Sequence, residues 1–375
     1  WLSPTGIGTG WVRPMPATDP VALEWMDVAV GSDIHRVVFA GVPADATCSV
    51  RERMEWLSGP GDGLRQLLIE PPYGTPTFCV DLLTPPDDPD AQAAFIIMEV
   101  MGYPFFSGSN TMATACALIE SGRIPGTEPD GTQCLRLEAP GGRVDAHVER
   151  RGGQVVKVTV EGDEAFVHRA DARVQLPDLG TVAYDLVWSG GHYVMVNADS
   201  LGLRPEDAGG ADALALAARI VEAVQADFQD LHPRLGDVGA PRFLHWMWPE
   251  TQASPDCLQA TGGTYGHPGV LWGCPTGTGT VARLARRMHH GLAGVGTSLR
   301  NTSPAGTTFE GRVIEQSRVG DYPSIRTQVS GTPRVVGQCT LTLPPTSPVI
   351  AERGLEWLLD PRSGLIEDPV GDNAG

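Results

Sequence analysis

Apolar and polar positions repeat with two different periods along the chain. Period-two patterning marks "DIHRVVFAGV", "QAAFIIMEVMG", "RVDAHVERRGGQVVKVTVEGDEAF", "VAYDLVWSGGHYVMVNA" and "TTFEGRVIEQSRVG". Gly, Pro or Asp turns separate these segments, which predicts β-strands. Within them, Val156, Val158 and Val160 share one strand face and put Lys157 on the other. Four stretches carry helical spacing instead. They are "TCSVRERMEWLSG", the run from Asp212 to Phe228 behind the linker-like "EDAGGA", and the segments 109–121 and 278–290, which both stop at a Gly. Strand-rich halves that each wrap one helix predict an α+β architecture, because a doubly wound parallel sheet needs strands and helices in regular alternation.

The last two helices align without a gap. In "FSGSNTMATACALIESG" and "PTGTGTVARLARRMHHG", Ser107, Gly108, Thr111, Ala113 and Gly122 fall opposite Thr276, Gly277, Thr280, Ala282 and Gly291, always 169 positions apart. An offset that holds across both helix ends points to duplication of a whole domain. The expected division is an N-terminal half of residues 1–183 plus 352–375 around helix 109–121, and a C-terminal half of 184–351 around helix 278–290.

A loop of small residues before a helix leaves the first backbone N–H groups open to an anion, helped by the helix dipole. Each front is therefore a candidate seat for a carboxylate or phosphate. The simpler alternative is that Ser107 and Thr276 only cap two buried helices.

Composition narrows the functional classes. With 375 residues, 41% apolar and 19% charged, the chain is long enough for two domains with real cores. A net charge of −18 argues against nucleic acid or an anionic membrane as partner. Lys157 is the single lysine, which leaves no second candidate for Schiff-base or pyridoxal-phosphate chemistry. Seven widely spaced cysteines without a Cys-x-x-Cys pair predict neither a disulfide framework nor a structural zinc. No secretory leader opens the sequence and no apolar run approaches membrane-spanning length, so a cytoplasmic location is expected.

The motifs "SDIHRVVFAGVP", "GYPFFSGSNTMATACALIESGRIP", "LEAPGGRVDAHVE", "WSGGHYVMVNADSLGL", "PTGTGTVARLARRMHHG" and "TFEGRVIEQSRVGDYPSIRTQVSGTPRVVGQ" together resemble the proline racemase family. That family includes 4-hydroxyproline epimerases and trans-3-hydroxyproline dehydratases. The resemblance runs in order from about Asp27 to about Leu343. It implies the diaminopimelate-epimerase-like fold, with two pseudosymmetric halves, each a curved sheet around a central helix, and the active site between them. It also implies that the two helix N-termini hold a substrate carboxylate and that a cysteine at each front addresses one face of the α-carbon, since a helix N-terminus favours the thiolate.

This sequence departs from that pattern. The two cysteine positions are Ser107 and Thr276, a position that is usually His is Ser109, one that is usually Asp is Trp272, and one that is often His is Ala29. Hydroxyls need a neighbouring base to act as bases, and neither motif offers an obvious one. Thr at the second position is the pattern associated with trans-3-hydroxyproline dehydratases, in which one face alone is deprotonated. Those enzymes keep the first cysteine, so the match is partial.

The expected site therefore has Ser107 and Thr276 at the reacting centre, with Gly108, Ser109, Asn110, His192, Trp272, Gly277 and Thr278 binding substrate and no metal or cofactor. The expected partner is a small-molecule carboxylate, with a homodimer compatible. Three readings follow: a dehydratase on a cyclic hydroxy amino acid, an epimerase or double-bond isomerase on a cyclic imino acid, and a ligand-binding homologue without chemistry. For His192 a pocket role and a turn-stabilising role stand side by side. Trp272 reads as a pocket wall, Cys116 and Cys274 as buried structural thiols, and His289 and His290 as partners of the helix C-terminus.

Overall fold

The computed structural model describes residues 19–43, 48–162 and 164–359. The first part of the chain folds as β1 (Val21–Val30), β2 (Asp33–Ala40), α1 (Val50–Leu57), α2 (Gly63–Ile69), β3 (Cys79–Thr84), β4 (Ala93–Met98), α3 (Gly108–Glu120), β5 (Gly131–Ala139), β6 (Gly142–Arg151) and β7 (Gln154–Glu161). It continues through β8 (Ala165–Leu176), β9 (Gly180–Trp188), β10 (His192–Asn197), α4 (Ala211–Ala226), β11 (Phe243–Met247), β12 (Thr251–Ser254), β13 (Cys257–Gly266) and β14 (Val270–Leu271). The remainder is α5 (Gly277–His289), β15 (Ser298–Thr302), β16 (Thr308–Val319), β17 (Tyr322–Gly331), β18 (Pro333–Leu343) and α6 (Pro348–Glu352). This is the α+β architecture that the patterning predicts. Among the described residues no helix is long and apolar enough to cross a membrane.

Two groups of eight strands repeat one pairing scheme. In the first, β18, β1, β2, β3, β4, β5, β6 and β7 pair in that order, parallel only at β2–β3 and β4–β5. In the second, β8, β9, β10, β11, β13, β15, β16 and β17 pair in order, parallel only at β10–β11 and β13–β15. The groups join where β7 and β8 pair with β17.

By pairing, the last strand of each repeat has crossed to the other sheet. β8 lies beside β9 in the second sheet and β18 lies beside β1 in the first. The expected cut between residues 183 and 184 would therefore split β9, and it would assign β8 and β18 to the sheets they leave. Sequence offset reveals a repeat but not which sheet completes its last strand. The segment after β18 returns to the first half, where Ile350, Leu355 and Leu358 join its core. Residues 360–375 lie outside the described residues.

α3 and α5 each contain 13 residues and begin one position earlier than the spacing indicated, so the offset of 169 holds over their whole length. Gly122 and Gly291 follow them at φ of 74° and 69°, the left-handed geometry that ends helices at glycine. α3 is buried on all sides from Ser109 to Ile119, with Ala113, Ala115, Ala117 and Cys116 allowing strands to approach closely. The Cys116 thiol is pushed up to about 12 by burial, as a core residue should be. α5 is amphipathic and places Arg286, Arg287 and His289 in its last turn, where cations complement the helix dipole. α1 starts with a capping box between Ser49 and Glu52.

The two helices meet front to front. A methyl group added to Gly277 would lie 2.9 Å from the Cα of Gly108, and one added to Gly108 would lie 3.1 Å from the Cα of Gly277. Backbone cannot yield there as a flexible side chain would. Gly277→Ala should therefore lower stability by about 1–3 kcal/mol, the range for overpacking a close contact. Urea unfolding at neutral pH measures this, and an unchanged midpoint would mean that the two fronts do not bear on each other.

Candidate active site

Each helix front is built in the same way. Ser107 caps α3 with its hydroxyl accepting from the Asn110 backbone N–H, and Thr276 caps α5 with its hydroxyl accepting from that of Gly279. Thr111 and Thr280, one turn on, donate their hydroxyls to the carbonyls of Ser107 and Thr276 at 2.7 and 2.9 Å. The N–H groups of Gly108 and Ser109, and of Gly277 and Thr278, belong to the first-turn amides that no intrahelical carbonyl can serve. Two partial positive ends thus converge at the Gly108–Gly277 contact, a favourable place for one carboxylate.

Five of the expected residues line one small, partly open cavity: Ser107, Ser109, Trp272, Thr276 and Thr278. Gly108 and Gly277 face an adjoining cavity that shares Ser107 and Thr278 with the first. Trp272 is a buried wall, its ring tucked against Gly266. Thr278 is fixed by Tyr193, whose hydroxyl lies 2.5 Å from its own. Ala29 is buried in β1 and does not line the cavity.

Two expected ligand-binding residues stand elsewhere. Asn110 is fully buried behind Ser107, where its side chain serves the protein. Its amide nitrogen donates to Glu99 Oε1 at 2.6 Å and to Ser107 Oγ at 2.8 Å, which leaves its oxygen to accept from His35 Nδ1 at 2.9 Å. His192 lines an outer cleft with Asp62 and Arg242. Its ring nitrogen lies 3.1 Å from that of His168, and it packs against Trp188 and Phe228. Burial, with His168 and His232 adding to it, lowers its pKa to about 3, so it is a neutral member of a buried cluster.

Glu99 is an ionisable cavity residue outside the set expected from the sequence. It follows β4, is buried, and lines the cavity with Ser107. Desolvation raises its carboxyl to about 7 against the hydrogen bonds from Asn110 and Cys79. The available signal was a lone acid inside the apolar run "FIIMEVM". Behind it, Asp81 is fully buried and burial pushes its carboxyl well up, while His35, 4.0 Å from Asp81, is pushed down.

The opposite front has no such group. Thr276 Oγ1 lies 2.9 Å from Thr264 Oγ1, which lies 2.8 Å from His245 Nδ1. Burial lowers His245 to about 3, so this chain is neutral at physiological pH. Cys274 and Cys79 both line the cavity, yet burial pushes both thiols far up. Asp33 accepts the backbone N–H groups of Gly273 and Cys274 at 2.7 and 2.8 Å, so a carboxylate of the first half fixes the approach to α5.

Against this geometry, the family model described as "Proline racemase" matches residues 26–352. The chain belongs to the proline racemase family. A protein of Marinobacter nauticus is 39% identical to this family member over 91% of the chain and 97% of its own length. The 4-hydroxyproline 2-epimerase of Agrobacterium fabrum is 30% identical over 92% of the chain and 98% of its own. The crystal structure of a hydroxyproline epimerase from Agrobacterium vitis with bound trans-4-hydroxy-L-proline superposes with a TM-score of 0.80 at 27% identity, covering 86% and 93% of the two chains. The fold is thus the diaminopimelate-epimerase-like one of that family.

Two outcomes follow. Asn110→Ala leaves Glu99, Ser107 and His35 without their shared partner, so stability should drop by about 1–3 kcal/mol in urea unfolding, the cost of stranding buried polar groups. His232, whose Nδ1 accepts from the N–H groups of Arg234 and Leu235, is lowered to about 4 by burial. The unfolded chain then binds the proton more readily, so its contribution to stability is lost as pH falls from about 6.5 towards 4. Glu99 acts with opposite sign, its contribution being lost as pH rises through about 7. Urea midpoints measured against pH should lose part of their acid-side slope in His232→Gln, and an unaltered slope would contradict the neutral state of this ring.

Proposed function

We propose that this member of the proline racemase family is a cofactor-independent enzyme that acts on one face of a hydroxylated cyclic amino acid. The substrate carboxylate sits between the N-termini of α3 and α5, the α-proton is removed on the Ser107 side, and the hydroxyl at the neighbouring carbon departs, as in trans-3-hydroxyproline dehydratases. The carrying observation is the asymmetry of the two fronts. An ionisable carboxyl lies behind Ser107 through Asn110, whereas Thr276 ends a neutral chain through Thr264 to His245. One-sided proton transfer needs no second base, and elimination uses that economy.

The named relatives favour a second reading, epimerisation at the α-carbon. That reaction delivers a proton to the face opposite the one it is taken from. Thr276 would have to supply it from a hydroxyl whose neighbours do not ionise near neutral pH.

Incubation of the protein with trans-3-hydroxy-L-proline, trans-4-hydroxy-L-proline and L-proline in deuterated water, followed by proton NMR, separates the readings. The expected outcome is consumption of the 3-hydroxy isomer with release of water and no racemisation of proline. Accumulation of the 2-epimer with deuterium at Cα would replace dehydration with epimerisation. Binding of all three without any exchange would make the protein a ligand-binding homologue.

A further inference from the structure

Within the cavity the chemistry has few places to go. The helix fronts offer Ser107 and Thr276, alcohols that a helix dipole alone does not ionise. Cys79 and Cys274 stay protonated because burial raises both thiols, and burial raises the Tyr193 hydroxyl as well. One further group lines the same space: the carboxyl of Glu99. It shares the two hydrogens of Asn110 Nδ2 with Ser107, at 2.6 and 2.8 Å, so one rigid amide fixes both oxygens relative to the front of α3. His35 in turn fixes the amide through its oxygen.

We propose that Glu99 is the catalytic acid–base group of this site, taking the place of the thiols that racemases of the family set at the helix fronts. This rests on the substrate carboxylate being seated between the two helices. A Glu99 oxygen takes the α-proton as the Cα–H bond breaks, and the electron pair passes into the substrate carboxyl group, where the helix N-termini face the added charge. The pair then returns to form the Cα–Cβ double bond and expels the β-hydroxyl, which leaves as water with the proton held by Glu99. The carboxylate is regenerated and no outside reagent is consumed.

The surroundings suit a group that must hold and release a proton. Burial raises Glu99 to about 7, near the operating pH at which a general base is most effective. Around it stand Asp33 and His35 from β2, Cys79 and Asp81 from β3, Cys274 before α5 and Tyr193 from β10. Arg65 of α2 approaches only the Glu99 backbone carbonyl, at 3.1 Å, and its charge pairs with Asp62. Burial and the negative neighbour Asp33 thus act together, and the Arg65 charge is committed to Asp62. Ser107 is a positioning residue here: its oxygen accepts from Asn110, which leaves its own hydrogen to donate either to Ser109 Oγ, 3.4 Å away, or to the bound carboxylate.

The test compares wild type with Glu99→Gln, which keeps the shape and removes the ionisation. Pyrrole-2-carboxylate binding is followed by calorimetry, and exchange of the α-proton on the three amino acids named above by NMR, read either as deuterium at Cα or as loss of the proton with the 3-hydroxyl in dehydration. Glu99→Gln should bind pyrrole-2-carboxylate like wild type while exchange falls by about 10²–10⁴-fold, the usual weight of a general base. Wild-type exchange should rise with pH through about 7. Undiminished exchange in Glu99→Gln, a flat wild-type profile, no wild-type exchange on any probe, or parallel loss of binding and exchange would each overturn the assignment. Loss of exchange in Glu99→Gln when wild type fails to bind pyrrole-2-carboxylate would uphold Glu99 and discard the carboxylate seat.

Discussion

The contact between the backbones of Gly108 and Gly277 governs the rest of the site. Two helices can present their first-turn amides to one small anion only if their axes end against each other, and a side chain at either position would hold them apart. Each sheet closes around its own helix, and α3 is packed on every side by strands that include β18 from the far end of the chain. The exchange of β8 and β18 ties each half to the other's sheet. It therefore resists the separation that would open the cradle.

From this shared frame the two halves diverge in what lies behind the cap. On the first side the cap hydroxyl leads through Asn110 to two buried carboxyls, Glu99 directly and Asp81 by way of His35. On the second it leads through Thr264 to a neutral His245. Duplication supplied equivalent places, and the residues two positions behind each front decide whether a place can change its charge. The cost on the first side is a set of desolvated acids that prefer to be neutral. A buried acid raised into the neutral range is costly to stability at alkaline pH and useful to a reaction that moves protons.

The parts legible in the sequence are those that repeat or follow local rules. The offset of 169 located both helices and both caps to within one residue, because capping and glycine termination are written in adjacent positions. The exchange of β8 and β18 was not legible, since strand pairing at a sequence distance of hundreds of residues leaves no local mark. α2 leaves little mark in the sequence because "GLRQLLI" is short and starts without a side-chain cap. Glu99 was hidden in a run of apolar residues whose pattern indicates a buried strand and says nothing about which cavity its end reaches. His192 occupies a motif position near the pocket, and only the packing of His168, Trp188 and Phe228 around it reveals that its ring is spent on a different cluster.

Thr276 differs from Ser107 in its backbone as well. Its φ of 55° lies in the left-handed region, unfavourable for a β-branched residue, whereas Ser107 caps the first helix from an ordinary extended conformation. Such a residue costs on the order of 1–3 kcal/mol and persists only where the surroundings over-determine it. Here they do: Asp33 clamps the two preceding amides, Thr264 holds the hydroxyl, and Gly279 donates to it. A cap alone could be met by Asn or Gly without that strain. The strained conformation holds an uncharged hydroxyl at the wall of the cavity that Glu99 also lines, so the two fronts differ in backbone as well as in what lies behind their caps.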